Sequence, residues 1–288
     1  MNIRIIPRLD IKGPNLVKGI HLEGLRVLGK PEDFAKYYYE NGADELIYMD
    51  VVASLYQRNS LLDIVKRTSQ EIFIPLTVGG GIRTIEDIRK ILRAGADKVS
   101  LNTAAIARPD FIREAAETFG SSTIVVSIEA IKHAPGKYEA YTDNGREATN
   151  IDVFEWAQKV TDLGAGEIFL TSINQEGTGQ GFDLELTRKI ADMVHIPVIA
   201  CGGAGNQEHM VQVVKQGHAD AVSVASVLHY DFVGKIKPVS GHKEEGNVEY
   251  LNSGRNFSKI KGFSIPDIKD YLNKNNIACR ILKEKSHV

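Results

Sequence analysis

The sequence contains one pattern twice, and this limits the folds that it can adopt. A glycine-rich turn followed by an aspartate occurs in both halves of the chain. Gly80 and Asp97 in the first half correspond to Gly203 and Asp220 in the second, and both correspondences span 123 residues. Self-similarity over this length indicates a duplicated half-domain rather than a short solenoid repeat.

Short β-branched runs alternate with amphipathic stretches along the chain, and each run predicts a strand followed by a helix. The predicted strands are Ile3–Leu9, Glu45–Asp50, Ile74–Val78, Lys98–Leu101, Thr123–Ile128, Glu167–Ser172, Pro197–Ala200 and Ala221–Val224. The predicted helices are Pro31–Asn41, Leu61–Ser69, Thr84–Ala94, Pro109–Phe119, Ile151–Leu163, Leu184–Val194, Asn206–Gln216 and Pro266–Asn275. Repeated βα units favour a parallel sheet with right-handed connections. Eight units with a two-fold repeat predict a closed (β/α)8 TIM barrel of the α/β class, built from two duplicated half-barrels.

Two segments do not fit the alternation. Ile131–Thr149 is polar and carries glycines at turn positions, which predicts a hairpin over the mouth of the barrel. Tyr230–Gly262 separates the eighth strand from the last helix and is far longer than an ordinary βα loop. We therefore expect a single domain over residues 1–288 with a long insertion at about 230–262.

Composition excludes several classes of protein. A net charge of −2 gives no basic surface for nucleic acid, and no apolar stretch is long enough to span a membrane. The two cysteines, Cys201 and Cys279, are too far apart in sequence to suggest a disulfide framework. No cluster of histidine, cysteine and carboxylate residues has the spacing of metal ligands, so we expect neither a metal nor another cofactor. The chain is predicted to be cytoplasmic.

The glycine-rich turns follow strands, so their backbone N–H groups can face a bound anion. Polar residues at the ends of the next strands can add donors. The sequence therefore predicts two phosphate cradles, one per half: Gly80, Gly81, Asn102 and Thr103 in the first, and Gly202, Gly203, Ala225 and Ser226 in the second. The alternative is that these glycines serve only tight turns.

Two carboxylates stand at corresponding positions in the two halves. Asp10 at the end of strand one and Glu129 at the end of strand five lie on opposite sides of a closed barrel. Opposed carboxylates suit general acid/base work on a substrate between them. The alternative is a structural ion pair with Arg8 or Lys18.

Charged residues also mark the N-terminal ends of four strands, namely Arg4, Glu45, Lys98 and Glu167. They can form a salt-bridged plug or a gate for a small polar molecule. The residues alone do not separate these alternatives.

Over nearly its full length the chain resembles the cyclase subunit of imidazole glycerol phosphate synthase. The motifs that carry the resemblance are Leu9–Lys12, Leu16–Gly19, Val78–Ile82, Asp97–Ala104, Gly164–Ile168, Thr171–Ile173 with Gly177–Thr178, Gly202–Gly205 and Ala225–Val227. The resemblance implies a substrate with two phosphates, and it adds Lys18, Gly177 and Thr178 to the substrate-binding residues. It also implies a glutaminase subunit on the N-terminal face and favours a gate for ammonia.

The departures from the family concern its catalytic residues and positions close to them. Glu129 stands where the family has aspartate, and the extra methylene displaces the carboxyl by about 1 Å, which can cost ~10²-fold in rate. Arg8 replaces a small cysteine and is expected to hold Asp10 and Glu129 ionised, within salt-bridge range of one or both. Asn174–Glu176 replaces the usual Asp-Arg-Asp.

Three hypotheses follow. The first is a cyclase-like subunit repurposed to supply ammonia for amidino-sugar biosynthesis, as in second copies found beside sugar amidotransferases. The second is a genuine cyclase of histidine biosynthesis with Glu129 in place of aspartate. The third is a non-catalytic scaffold that activates a glutaminase.

Overall fold

The computed structural model describes residues 2–52, 60–235 and 260–282. The strands are β1 Arg4–Lys12, β2 Asn15–Ile20, β3 Glu23–Gly29, β4 Leu46–Asp50, β5 Leu76–Gly79, β6 Lys98–Leu101, β7 Ile124–Ala134, β8 Lys137–Thr142, β9 Glu147–Asp152, β10 Glu167–Ser172, β11 Val198–Cys201 and β12 Ala221–Val224. The α-helices are α1 Pro31–Glu40, α2 Ser60–Ser69, α3 Ile85–Arg93, α4 Thr103–Ala107, α5 Asp110–Phe119, α6 Val153–Asp162, α7 Leu184–Met193, α8 Gln207–Lys215, α9 Ser226–Lys235 and α10 Ile265–Lys274.

Eight parallel strands form a closed barrel in the order β1, β4, β5, β6, β7, β10, β11 and β12, and β12 pairs back onto β1. Helices connect successive barrel strands, so the predicted (β/α)8 fold is confirmed. The two halves also share a feature that the alternation does not show. The first strand of each half, β1 or β7, extends beyond the barrel and continues into an antiparallel hairpin.

The repeated aspartate has a structural role at the bottom of the barrel. Asp44, Asp97 and Asp220 each precede a barrel strand, and each accepts a backbone hydrogen bond from the neighbouring strand. The donors are the amides of Ile5, Leu76 and Val198, at 2.8, 2.8 and 2.9 Å. A carboxylate satisfies an amide that the sheet leaves unpaired, and this explains why the motif recurs.

Strand alternation divides the core into two parts. One face of each strand packs against the helices, and the other points into the barrel. The interior cluster includes Ile6, Ile47, Val125, Phe169, Ile199 and Ala221. These apolar residues form a layer above the charged N-terminal end, and the buried polar residues Arg8, Ser100, Ser127 and Ser223 lie between this layer and the mouth.

The structure corrects part of the predicted layout. The hairpin predicted at Ile131–Thr149 is confirmed, because the end of β7 pairs with β8 and β8 with β9. The hairpin of β2 and β3 and the helices α4 and α9 were not predicted. Helix α9 occupies Tyr230–Lys235 of the predicted insertion, and residues 236–259 lie outside the described part of the chain. Within the described ranges, no helix has the length and apolar character that crossing a membrane requires.

Candidate active site

The two predicted acid/base carboxylates lie at the C-terminal mouth of the barrel. Asp10 is on β1 and Glu129 on β7, four strands apart in either direction around the eight-stranded ring. Both side chains are buried, with 2% and 3% of the residue surface exposed. The topology thus places the carboxylates on opposite walls, as the sequence predicted.

Arg8 lies inside the barrel beneath Asp10. Its Nε donates to Asp10 Oδ1 at 2.7 Å, and its Nη1 donates to Thr171 Oγ1 at 3.2 Å. The guanidinium carbon lies 5.6 Å from the centre of the Phe169 ring. The predicted salt bridge of Arg8 with Asp10 is therefore confirmed, and it neutralises a buried charge that would otherwise be costly.

The protonation of the Glu129 carboxyl differs from the prediction made from the sequence. Burial raises the pKa of its carboxyl to about 7, although the Arg8 cation and the Gly145 N–H act in the opposite direction. Gly145 N donates to Glu129 Oε2 at 2.8 Å from the turn between β8 and β9. The expectation that Arg8 holds Glu129 ionised is wrong, because desolvation of the carboxylate outweighs the nearby cation.

A cavity of about 460 Å³ opens at the mouth over the first half of the barrel. Its lining includes Glu129 and the four residues of the predicted first cradle, Gly80, Gly81, Asn102 and Thr103. Gly80 and Gly81 have φ values of 100° and 70°, and a Cβ on Gly80 would come within 2.4 Å of the Asp50 carbonyl oxygen. Glycine is thus required at this turn for both conformation and space.

Sequence reasoning missed two cationic residues of this cavity. Arg83 and Arg108 both line it: Arg83 lies in the loop after β5, and Arg108 directly follows α4, where its guanidinium also pairs with Glu114. Guanidinium groups favour phosphate, so they support an anionic ligand at the first cradle. Asp143, from the turn between β8 and β9, also lines the cavity, and its backbone N–H donates to Thr103 Oγ1 at 3.2 Å. The position of Arg83 directly after Gly79–Ile82 was the signal available in the sequence.

The second cradle lies at the ends of β10, β11 and β12. Its predicted members are Gly177, Thr178, Gly202, Gly203, Ala225 and Ser226, and Ser226 is the first residue of α9. The loops after β10 and β11 touch closely here, since Gly181 N donates to the Gly203 carbonyl at 2.7 Å. A Cβ on Gly203 would lie 1.9 Å from the Gly181 carbonyl oxygen. Tight packing of loops thus contributes to the glycine requirement, and phosphate binding at this cradle stays a prediction.

Lys18 was predicted to bind substrate, and the structure gives it a protein partner. Its Nζ donates to both carboxylate oxygens of Glu176 at 2.8 Å. Both residues are buried, and the pair joins the β2–β3 hairpin to the loop after β10. His21 reinforces this junction, because its N–H donates to the Glu176 carbonyl at 2.9 Å. Glu176 lay within the segment that departs from the family, but sequence reasoning gave it no role.

The four charged residues at the bottom form one closed ring of salt bridges, here called the charged ring. Arg4 contacts Glu45 at 2.6 Å and Glu167 at 2.8 Å, while Lys98 contacts the same two glutamates at 3.1 and 3.2 Å. The predicted single layer across the N-terminal end is confirmed. Its use as a gate stays a prediction.

The fold and the mouth together define a (β/α)8-barrel protein with two opposed buried carboxyl groups at the mouth, one of which lines a cavity of about 460 Å³. The chain belongs to the family described as "Histidine biosynthesis protein", which matches residues 4–233. It is 59% identical over 207 residues to the imidazole glycerol phosphate synthase subunit HisF of Legionella pneumophila, and the alignment covers 72% of this chain and 98% of that protein. In the described ranges, no group of three or more histidine, cysteine, aspartate and glutamate side chains could hold a metal ion.

Proposed function

We propose that this chain is the ammonia-accepting cyclase subunit, a lyase, of a glutamine amidotransferase of the imidazole glycerol phosphate synthase type. The family membership and the 59% identical HisF subunit support this activity. In this proposal the substrate is a small molecule with two phosphates, and a glutaminase subunit docks on the N-terminal face.

The observation that carries the proposal is the different state of the two carboxylates. Asp10 is paired with the Arg8 guanidinium, as an ionised carboxylate would be. Glu129 has a pKa of about 7, so it holds a proton in a large fraction of molecules at neutral pH. Two carboxyl groups in such different environments can act as base and acid.

In this proposal the two carboxyl groups have different roles. Asp10 accepts a proton from the nitrogen that attacks during ring closure. Glu129 donates a proton to the nitrogen that leaves when the substrate C–N bond breaks. The hairpin turn at Gly145 holds the Glu129 carboxyl in place through its N–H. The cradles and the cavity arginines are proposed to hold the phosphates, which fixes the substrate between the carboxylates.

The test is product formation from the aminated two-phosphate substrate with ammonium in solution, followed from about pH 6 to about pH 9. At a constant concentration of free ammonia, we expect kcat to fall as pH rises through about 7, because Glu129 loses its proton. Asp10→Asn and Glu129→Gln should each lower kcat by roughly 10²-fold or more. Lys36→Met, which removes an exposed surface cation, is the matched control and should leave kcat unchanged. Absence of turnover in the unmodified protein would reject the cyclase.

One observation favours a second candidate, the supply of ammonia for an amidino sugar. Arg8 fills space beneath Asp10 and engages the proposed base, and this departs from the family pattern. In that hypothesis the chain binds glutaminase and passes ammonia on to a sugar amidotransferase, with little or no turnover of the two-phosphate substrate. The ammonium assay separates the two hypotheses. A non-catalytic scaffold, the third hypothesis, is separated by calorimetry with inorganic phosphate, which a scaffold need not bind.

A further inference from the structure

The barrel interior between the charged ring and the acid/base pair contains a cation that crosses it. The alternate residues Arg4, Ile6, Arg8 and Asp10 of β1 share the face that points into the barrel. At ~3.3 Å per residue, the Cα of Arg8 lies roughly 13 Å further along the strand than the Cα of Arg4. Its side chain leaves β1 and reaches Thr171 on β10 and Cys201 on β11. In the barrel order these strands lie three and two positions away from β1. The guanidinium therefore spans the lumen instead of lying along its own strand.

The layer around Arg8 is closed. Among the described residues, Arg8 Nη2 has no hydrogen-bond partner, and nor do the inward hydroxyls of Ser100, Ser127 and Ser223. All four atoms are buried. Beside these four atoms there is thus no space for a molecule the size of ammonia while Arg8 stays in place.

We propose that Arg8 is an inner gate of the barrel, which closes the interior above the charged ring and lets ammonia pass only when it leaves Asp10. This inference rests on the proposed function, in which ammonia rises from the N-terminal face. In this role Arg8 occupies the passage and takes no part in the chemical step, so it is a positioning residue and not a catalytic one.

Arg8 is held in the closed position by a contact with Asp10 that substrate can replace. Asp10 is the proposed base, so the carboxylate that binds Arg8 is also the one that must engage the substrate. The unpaired Nη2 makes the closed position less favourable than a fully satisfied one, since a buried donor without an acceptor is costly. Substrate contact with Asp10 therefore competes with the closed gate and couples opening to substrate binding.

Cys201 provides a probe that needs neither substrate nor glutaminase. Its Sγ lies 3.8 Å from Arg8 Nη1, and the residue is buried in the interior cluster. In a Cys279→Ser background, the rate of modification by methyl methanethiosulfonate, a small neutral reagent, measures access to the interior. We compare the parent with Arg8→Ala, which empties the space, and Arg8→Met, which removes the charge but fills most of the volume.

If Arg8 is the gate, Arg8→Ala should label at least about tenfold faster than the parent below the urea unfolding transition, while Arg8→Met stays within about threefold of it. Both variants lose the ion pair, so general loosening would accelerate them equally. Equal acceleration, or no acceleration in Arg8→Ala, would overturn the gate. The free energy of unfolding in urea is measured for each variant, so that rates are compared at equal stability.

The second readout is the ratio of glutamine-driven to ammonium-driven turnover in the complex with a glutaminase subunit. Ammonium from solution reaches the mouth directly, whereas glutamine-derived ammonia must pass Arg8. Both reactions use the same carboxylates. An effect of Arg8 on the chemical step therefore changes both turnover rates equally and leaves their ratio unchanged. We expect the ratio to rise several-fold in Arg8→Ala and to stay near the parent value in Arg8→Met. An unchanged ratio in Arg8→Ala would contradict the gate, and absence of ammonium-driven turnover would contradict the proposed function instead.

Discussion

At the scale of single residues, the two carboxyl groups of the mouth are equally buried and differ in their partners: Asp10 binds the Arg8 guanidinium, whereas Glu129 accepts from the Gly145 N–H and has a pKa that burial raises. Strand alternation was enough to predict that Arg8 lies inside the barrel and pairs with Asp10, Glu129 or both, because a buried guanidinium requires a partner, and the structure selects Asp10. The state of Glu129 could not be predicted in this way. It depends on how deeply the folded chain buries the carboxyl, and that is a tertiary property.

The raised pKa of Glu129 predicts a measurable pH dependence of stability. The folded state has a pKa of about 7 for this group and the unfolded chain an ordinary value near 4.5, so between these values the folded state binds more protons. The free energy of unfolding should therefore fall as pH rises from about 4.5 to about 7, by about 3 kcal/mol at most. The measurement is urea unfolding across this range, for the parent and for Glu129→Gln.

The Glu129→Gln variant has no group that titrates at this position. Its unfolding free energy minus that of the parent should therefore rise with pH and level off above about 7. Asp110→Asn, a change of a mostly exposed carboxylate, is the control and should show no such growth. A pH-independent difference for Glu129→Gln would show that folding does not raise the pKa of Glu129.

At the scale of elements, the barrel strands were predictable and the additions to the barrel less so. Each predicted barrel strand overlaps an observed one, since β-branched runs and glycine turns are local signals. The β2–β3 hairpin was not predicted because its turns at Gly13–Pro14 and His21–Leu22 follow strand one without a helical pattern to separate them. Helix α9 was not predicted because its apolar residues are not grouped on one face. The periodic pattern of an amphipathic helix is therefore missing from its sequence.

The β2–β3 hairpin is fixed to the loop after β10 by the buried Lys18–Glu176 pair, and this predicts a large coupling between the two residues. Lys18→Met leaves Glu176 buried without its cation and should lower the free energy of unfolding by about 3 kcal/mol or more. The double variant Lys18→Met with Glu176→Leu should recover most of the loss, because no uncompensated charge remains. The measurement is a double-mutant cycle in urea.

The exposed pair of Lys36 and Glu71 is the matched control, since both of its side chains are more than half exposed. The same cycle there should give a coupling of about 0–1 kcal/mol. A coupling at Lys18 and Glu176 no larger than this control would mean that the pair does not hold the hairpin.

At the scale of the whole molecule, the two-fold repeat organises both ends of the barrel. At the mouth it sets Asp10 opposite Glu129 and gives each half a hairpin. At the bottom it sets Glu45 opposite Glu167, and Arg4 and Lys98 bridge them into the charged ring. Charged residues at the N-terminal ends of four strands made this ring predictable from sequence, because alternation and barrel order fix where the first residues of each strand point. Its function was not predictable, since a plug and a gate use the same contacts.

The last prediction concerns this ring. Lys98→Ala removes both of its salt bridges but leaves Arg4 bound to the two glutamates. The side chain is partly exposed, so we expect the barrel to stay folded with a loss of about 1–2 kcal/mol in the free energy of unfolding. In a complex with glutaminase, glutamine hydrolysis should continue while product per glutamine falls about tenfold, because ammonia is no longer guided upward. Turnover with ammonium in solution should not change, since that ammonia enters at the mouth. Lys36→Ala serves as the control, and equal loss of glutamine-driven and ammonium-driven turnover in Lys98→Ala would identify the ring as a structural plug.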